Sequence, residues 1–300
     1  MPIFLLVGLG AFLKKIDIIN DAFTEKANNL VFRVALPTMV FLDIATINIT
    51  EEFDGKLVLV AVLITVIMFF VALFASGSVK DRKIRASFAQ GIFRSNYAIL
   101  GVPLTKALFS PEIAVNASVL LAICVPVYNV LAVVLLTRFL SSEGGISKTL
   151  KGIAKNPIII GAALGVIVSL LKISLPVVIM KPLEYIGQMC VPLSLIVIGG
   201  SFVLSKAKKT MKLAVIASVI KTLLTPLVFI FPAWLVGIEG AKLGVMYLFL
   251  ATPAAISSYT MARNMGGDYH LAGNIVIIST AMCFFTIFSG MMVMKTMGIF

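Results

Sequence analysis

Of the 300 residues, 60% are apolar and 13% are charged, with a mean hydropathy of +1.09 and a net charge of +12. This composition excludes a soluble domain, whose surface needs polar cover that the chain cannot supply. Basic residues lie in short clusters between apolar runs, which excludes a nucleic-acid face.

Apolar runs long enough to cross about 30 Å of bilayer core recur from end to end, predicting an all-α integral membrane protein of about ten transmembrane helices. The spans fall at 1–13, 29–48, 57–76, 86–109, 113–140, 156–171, 182–204, 213–237, 241–262 and 270–294. Span one is apolar up to Leu13 and only then basic, at Lys14 and Lys15, the reverse of a cleaved signal peptide. It reaches only about 20 Å, so it is either half-buried or preceded by further residues. Span three, Leu57 to Ala75, contains no charge, Pro or Gly.

Span four is too polar to face lipid. It reads Gly91-Ile92-Phe93-Arg94-Ser95-Asn96-Tyr97-Ala98-Ile99-Leu100-Gly101-Val102-Pro103. Arg94 lies about 12 Å from the cytoplasmic edge at the helical rise, where a cation is costly unless it faces a cavity or a partner. Asn96 both donates and accepts, so Arg94, Ser95 and Asn96 beside a broken backbone could hold a carboxylate. The competing role for Arg94 is to bind carbonyls of a neighbouring helix. Tyr128 and Asn129 follow Pro126 in span five and either contact a substrate or close a polar seam. Lys221 in span eight either adds to the positive field or snorkels.

Span nine reads Ala251-Thr252-Pro253-Ala254-Ala255-Ile256-Ser257-Ser258-Tyr259. A proline ends the preceding helix and suits the first turn of the next. The free N–H groups of that turn would aim at the midplane as an anion site, with Ser257 and Ser258 alongside. His270, at a loop-to-helix junction, reads as solvated. Asp43 and Glu184 read as lying at span edges, which leaves no carboxylate relay at mid-depth. The three cysteines, Cys124, Cys190 and Cys283, sit inside apolar runs as packing residues. No CxxC or His/Cys cluster points to a metal, and no cofactor is expected. Motifs for nucleotide hydrolysis, zinc proteolysis, serine esterases and paired intramembrane aspartates are absent from the sequence.

Orientation follows from Lys and Arg. Of the 25, Arg94 and Lys221 are intramembrane, and the even loops and C-terminal tail hold Lys56, Lys106, Lys172, Lys181, Lys242 and Lys295; the other 17 fall in odd loops. Odd loops are therefore cytoplasmic and both termini face outward. The two halves echo each other: Ala35-Leu36-Pro37-Thr38-Met39-Val40-Phe41 in span two matches Cys190-Val191-Pro192-Leu193-Ser194-Leu195-Ile196 in span seven, and spans four and nine are both interrupted. Five spans per half require the second half to be inverted. The division is 1–140 as first repeat, 141–155 as cytoplasmic linker and 156–300 as second repeat. Inverted repeats with paired broken helices indicate a secondary transporter with a midplane site.

These segments resemble the auxin efflux carrier family, which includes plant auxin exporters and bacterial malate or malonate permeases. The resemblance covers nearly the whole chain. It is carried by Phe93 to Leu104, by Lys155-Asn156-Pro157-Ile158-Ile159-Ile160-Gly161, by Val191-Pro192-Leu193, and by Thr252-Pro253 through Ala262-Arg263 to Gly266-Gly267-Asp268. It implies a 5+5 inverted repeat in which helices four and nine cross at the substrate site. It also implies a scaffold of helices one, two, six and seven, often dimeric, and a transport domain of the other six that moves like an elevator. The family's proline–asparagine pair in helix four corresponds here to Ser95 and Asn96, which leaves the position of that break open, with Gly101 and Pro103 as contributors. The helix-nine proline is Pro253. The short central loop favours a bacterial-type permease.

The expected function is an elevator-type carrier of a monocarboxylate or dicarboxylate in the cell membrane. Its substrate-binding residues would be Asn96, Ser95, Arg94, Thr252, Pro253, Ser257, Tyr128 and Asn129. Its partners would be the lipid bilayer and a second copy of the chain. The alternatives are a cation-coupled carrier of the bile-acid or sodium/proton type and a membrane receptor that binds without transporting.

Overall fold

Polar side chains at the ends of apolar runs set where helices begin. Asn20 accepts the Phe23 N–H, Asp54 those of Lys56 and Leu57, Asp81 those of Lys83 and Ile84, Asn156 that of Ile158, and Asp268 that of Leu271. Each satisfies donors that the first helical turn leaves open. The computed structural model describes residues 2–46, 54–140, 152–201 and 204–299. Most of the linker read at 141–155 lies outside the described residues.

In chain order the helices are α1 (Pro2–Lys15), α2 (Asp21–Ala45), α3 (Gly55–Ser78), α4 (Arg82–Phe93), α5 (Tyr97–Leu108), α6 (Pro111–Leu140), α7 (Pro157–Leu170) and α8 (Val177–Gly200). Then follow α9 (204–235), α10 (Gly240–Ala251), α11 (Ser257–Met265) and α12 (Tyr269–Thr296). Six stretches are long and apolar enough to cross a membrane: α2, α3, α6, α8, Lys209–Leu235 of α9, and α12. The chain is a multi-pass, all-helical membrane protein. Several helices start earlier than hydropathy predicts: α2 at Asp21 rather than 29, α8 at Val177 rather than 182, and α9 at 204 rather than 213. The reason is visible in α2, whose polar first turns are capped by Asn20 and bury Thr24 and Asn28 against neighbours.

Prolines widen the helix one turn upstream of themselves. The π-helical turns Val31–Ala35, Tyr97–Gly101 and Ile220–Leu224 precede Pro37, Pro103 and Pro226. In each the residue four before the proline lies inside the widened turn, where the ring would collide with its carbonyl. In α8 the helix is interrupted at Met189, ahead of Pro192. Pro126 sits inside α6.

Two helix pairs come together through glycine. A Cβ on Gly161 would lie 2.5 Å from the Pro37 carbonyl oxygen, and one on Gly165 2.8 Å from that of Phe41, so α7 lies backbone-close along α2. Gly10 of α1 meets the Ile196 carbonyl of α8 and Gly199 of α8 meets that of Val7 in the same manner. Small residues permit this approach in lipid, where association depends on close packing.

At the centre lie α4 and α10. Every residue from Ala86 to Phe93 and from Leu243 to Ala251 is buried. Helices apolar or buried all round belong in the middle of a bundle, and both of these stop there.

A polar tie holds the N-terminus of α10. The Lys242 ammonium donates to Asp54 Oδ2 at 2.7 Å, and the Asp54 N–H donates to Asn116 of α6 at 3.2 Å. The Lys242 hydrogen bond holds the Asp54 carboxyl below its ordinary value of 3.8. A depressed carboxyl stabilises the fold above its unfolded value and loses that contribution as pH falls through the folded one. Asp54→Asn should therefore lower the melting temperature at neutral pH by an amount equivalent to at most about 1 kcal/mol. The gap between variant and wild type should close below pH 3.8, as scanning fluorimetry in detergent would show.

Candidate functional site

α4 ends at Phe93 and α5 begins at Tyr97; α10 ends at Ala251 and α11 begins at Ser257. Arg94 (φ −73°, ψ 133°) and Thr252 (φ −60°, ψ 147°) both leave their helices extended. The two breaks lie against each other as an antiparallel bridge between Ser95 and Ala254, and the Asn96 N–H donates to the Pro253 carbonyl at 2.8 Å. Each interrupted helix thus supplies partners for main-chain groups the other has freed, the condition for irregular backbone deep in a membrane protein.

The break in the fourth span falls at Arg94 to Asn96, with Gly101 and Pro103 downstream of it inside α5. Pro253 likewise does not open the next half-helix. It sits in the extended stretch four residues before Ser257, ending α10 and presenting its carbonyl to Asn96.

A cavity of about 40 Å³ lies beside the bridge. A single water needs roughly 10–15 Å³ on this measure, so the space holds a few waters or a very small ligand. Arg94, Ser95, Asn96, Tyr128, Asn129 and Ser257 all line it. The Arg94 guanidinium is 3% exposed and binds side chains rather than the carbonyls of a neighbouring helix. Nη2 donates to Asn129 Oδ1 at 2.6 Å and Ser257 Oγ at 2.9 Å, while Nη1 meets the Met261 sulfur at 2.8 Å. Its Nε and the Asn96 Nδ2 are buried donors without a hydrogen-bond partner. Such groups cost about 1–3 kcal/mol each, more when charged, unless a ligand or water meets them. Tyr128 stands between the two half-helices, its ring 6.3 Å from Phe93 and 6.1 Å from Phe249, stacked on the latter.

Thr252 and Pro253 are placed differently from the other predicted residues. Thr252 is fully buried behind the bridge, hydrogen-bonded to the Ser95 hydroxyl and donating to the Phe249 carbonyl at 3.0 Å; neither residue lines the cavity. Ser258 is buried outside the lining as well. Lys221 does not snorkel. It is 2% exposed and its ammonium donates to the Leu250 carbonyl at 2.8 Å, in the last turn of α10, where a cation complements the negative helix end.

Sequence reasoning missed Asp43 and Met261. Asp43, read as lying at a span edge, lines the cavity with Leu36 and Met39 of α2. The i, i+3, i+7 spacing of those three residues carried the signal. Cys190 and Ser194 of α8 complete that wall.

A multi-pass helical bundle with two interrupted helices touching at a buried cationic cavity is the architecture of a membrane transporter. The sequence profile of the family described as membrane transport protein matches residues 1–289, and the chain belongs to that family, the auxin efflux carrier family its motifs resemble. It is also 25% identical over 294 residues to a protein of Methanocaldococcus jannaschii described as an uncharacterized transporter, covering 93% of this chain and 92% of the other.

Proposed function

We propose that this transporter is a secondary carrier of a small organic anion, a carboxylate, held at the crossing by Arg94 and Asn96. One observation carries the reading: Arg94 Nε and Asn96 Nδ2 are buried, unpartnered donors on residues that line one cavity. The nine-residue α11 starts at Ser257, on the same cavity, and adds the positive end of a helix.

The larger architecture in this reading is ten spans in a 5+5 inverted repeat, 1–140 and 156–300, with spans four and nine broken and both termini outside. Helix pairing supports it. The α2–α7 contact and the α1–α8 contact, each glycine-mediated, are what an inverted repeat would generate from a single pair. An elevator mechanism is supported by the walls of the cavity. Leu36, Met39, Asp43, Cys190, Val191 and Ser194 come from α2 and α8, the scaffold side, while Arg94, Asn96, Tyr128, Asn129 and Ser257 come from the transport side. Dimerisation through the scaffold, in the cell membrane, completes the proposal.

Uptake of labelled malate, malonate and related acids into proteoliposomes, with and without a membrane potential, is the test. Total indifference to every acid would end the anion assignment. Asn96→Ala should abolish uptake while the variant still inserts and elutes as a single species; retained uptake would remove Asn96 from the site.

A further inference from the structure

The cavity also contains a carboxyl group. Leu36, Met39 and Asp43 share one face of α2, and all three line the cavity. Asp43 Oδ2 is buried and has no hydrogen-bond partner. The Arg94 guanidinium directs its two Nη atoms to Asn129, Ser257 and Met261 rather than to Asp43. Cys190 of α8 lines the same cavity as Asp43 and Arg94. Neither of the described ion pairs, Lys14 with Asp21 and Lys242 with Asp54, involves Asp43.

A carboxyl group inside a membrane bundle is expensive unless something meets it, and removing one partner of a buried polar pair leaves the other uncompensated. An anion bound by Arg94 and Asn96 alone would leave Asp43 unmet and bring a second carboxyl group toward it. Building on the carboxylate reading above, we propose that the substrate carries a hydrogen-bond donor, hydroxyl or ammonium, beside its carboxylate, and that Asp43 accepts from that donor. The cavity of about 40 Å³ fits this pairing. In a two- or three-carbon skeleton the two functions sit on adjacent carbons, close enough for both to be met in so small a space.

A site built to hydrogen-bond a substrate OH or NH discriminates against the analogue lacking it far more strongly than a methylene-sized difference allows. The test uses two matched series in proteoliposomes: propionate, lactate and alanine, and succinate, malate and aspartate. In whichever series is carried, the donor-bearing acids should exceed the plain acid by about a hundredfold or more in transport efficiency. Alanine or aspartate leading would identify ammonium as the donor, and lactate or malate leading would identify hydroxyl. Asp43→Leu should collapse the preference toward equality, read as the ratio of donor-bearing to plain acid transport efficiency within one preparation. Asp43→Asn, which still accepts a hydrogen bond, should keep a hydroxyl preference and lose an ammonium preference. Propionate or succinate carried as well as its donor-bearing counterparts would overturn the role of Asp43 while leaving the carboxylate reading intact, as would a preference unchanged in Asp43→Leu. No uptake of any acid in either series, nor of malonate, would remove both.

Discussion

Arg94→Ala should reduce carboxylate uptake by two to three orders of magnitude while the protein still reaches the membrane. Truncating one side of a buried, charge-assisted contact costs about 2–5 kcal/mol, and each 1.4 kcal/mol is a factor of about ten. The guanidinium holds Asn129 of α6 and Ser257 of α11 at the same nitrogen, so the substitution also frees two side chains that shape the cavity. Arg94→Lys separates charge from geometry. An ammonium keeps the positive field but cannot hold Asn129 and Ser257 at one nitrogen while presenting separate N–H groups to Met261 and the cavity, and the loss of one charged hydrogen bond should leave it about tenfold below wild type. Uptake kinetics in proteoliposomes at matched reconstitution would measure both. Full activity in Arg94→Lys would reduce the residue to a point charge.

Gly199→Val should be the most damaging single change to the fold away from the cavity. The new Cβ would be driven into the Val7 carbonyl of α1, a backbone atom with no rotamer to give way. Overpacking typically costs 1–3 kcal/mol where side chains can adjust; here whole helices must separate, so a loss above about 3 kcal/mol is expected. Gly10 faces Ile196 of α8 in the same way, so α1 would be displaced along a stretch of its length. The readout is loss of a monodisperse peak in detergent and a large fall in melting temperature. Gly8→Val, with open space around its Cβ, is the control and should melt like wild type.

How much the sequence revealed depended on whether the relevant partner was local. The interruption at Thr252-Pro253 is legible because the proline falls at the position that matches the polar break in span four. Arg94 and Asn96 are legible because polar groups inside an apolar run need a reason. Lys221 was only half legible, since its partner is the backbone carbonyl of Leu250, and a carbonyl leaves no mark in a sequence. Asp43 was placed correctly near the end of its helix, but its cavity-facing role was not legible. Only packing shows which face of α2 meets the crossing. Thr252 was legible as polar and buried, but its hydroxyl turns back toward Ser95 and Phe249 and away from the cavity.

The hydrogen bond from Asn96 to Pro253 has a mechanical meaning. It rivets residue 96 to residue 253, in opposite halves of the chain, so a load on either strand of the rivet is shared by both. Spin labels placed on α4 and α10 should then keep a fixed separation through a transport cycle, whatever happens to their distance from α8.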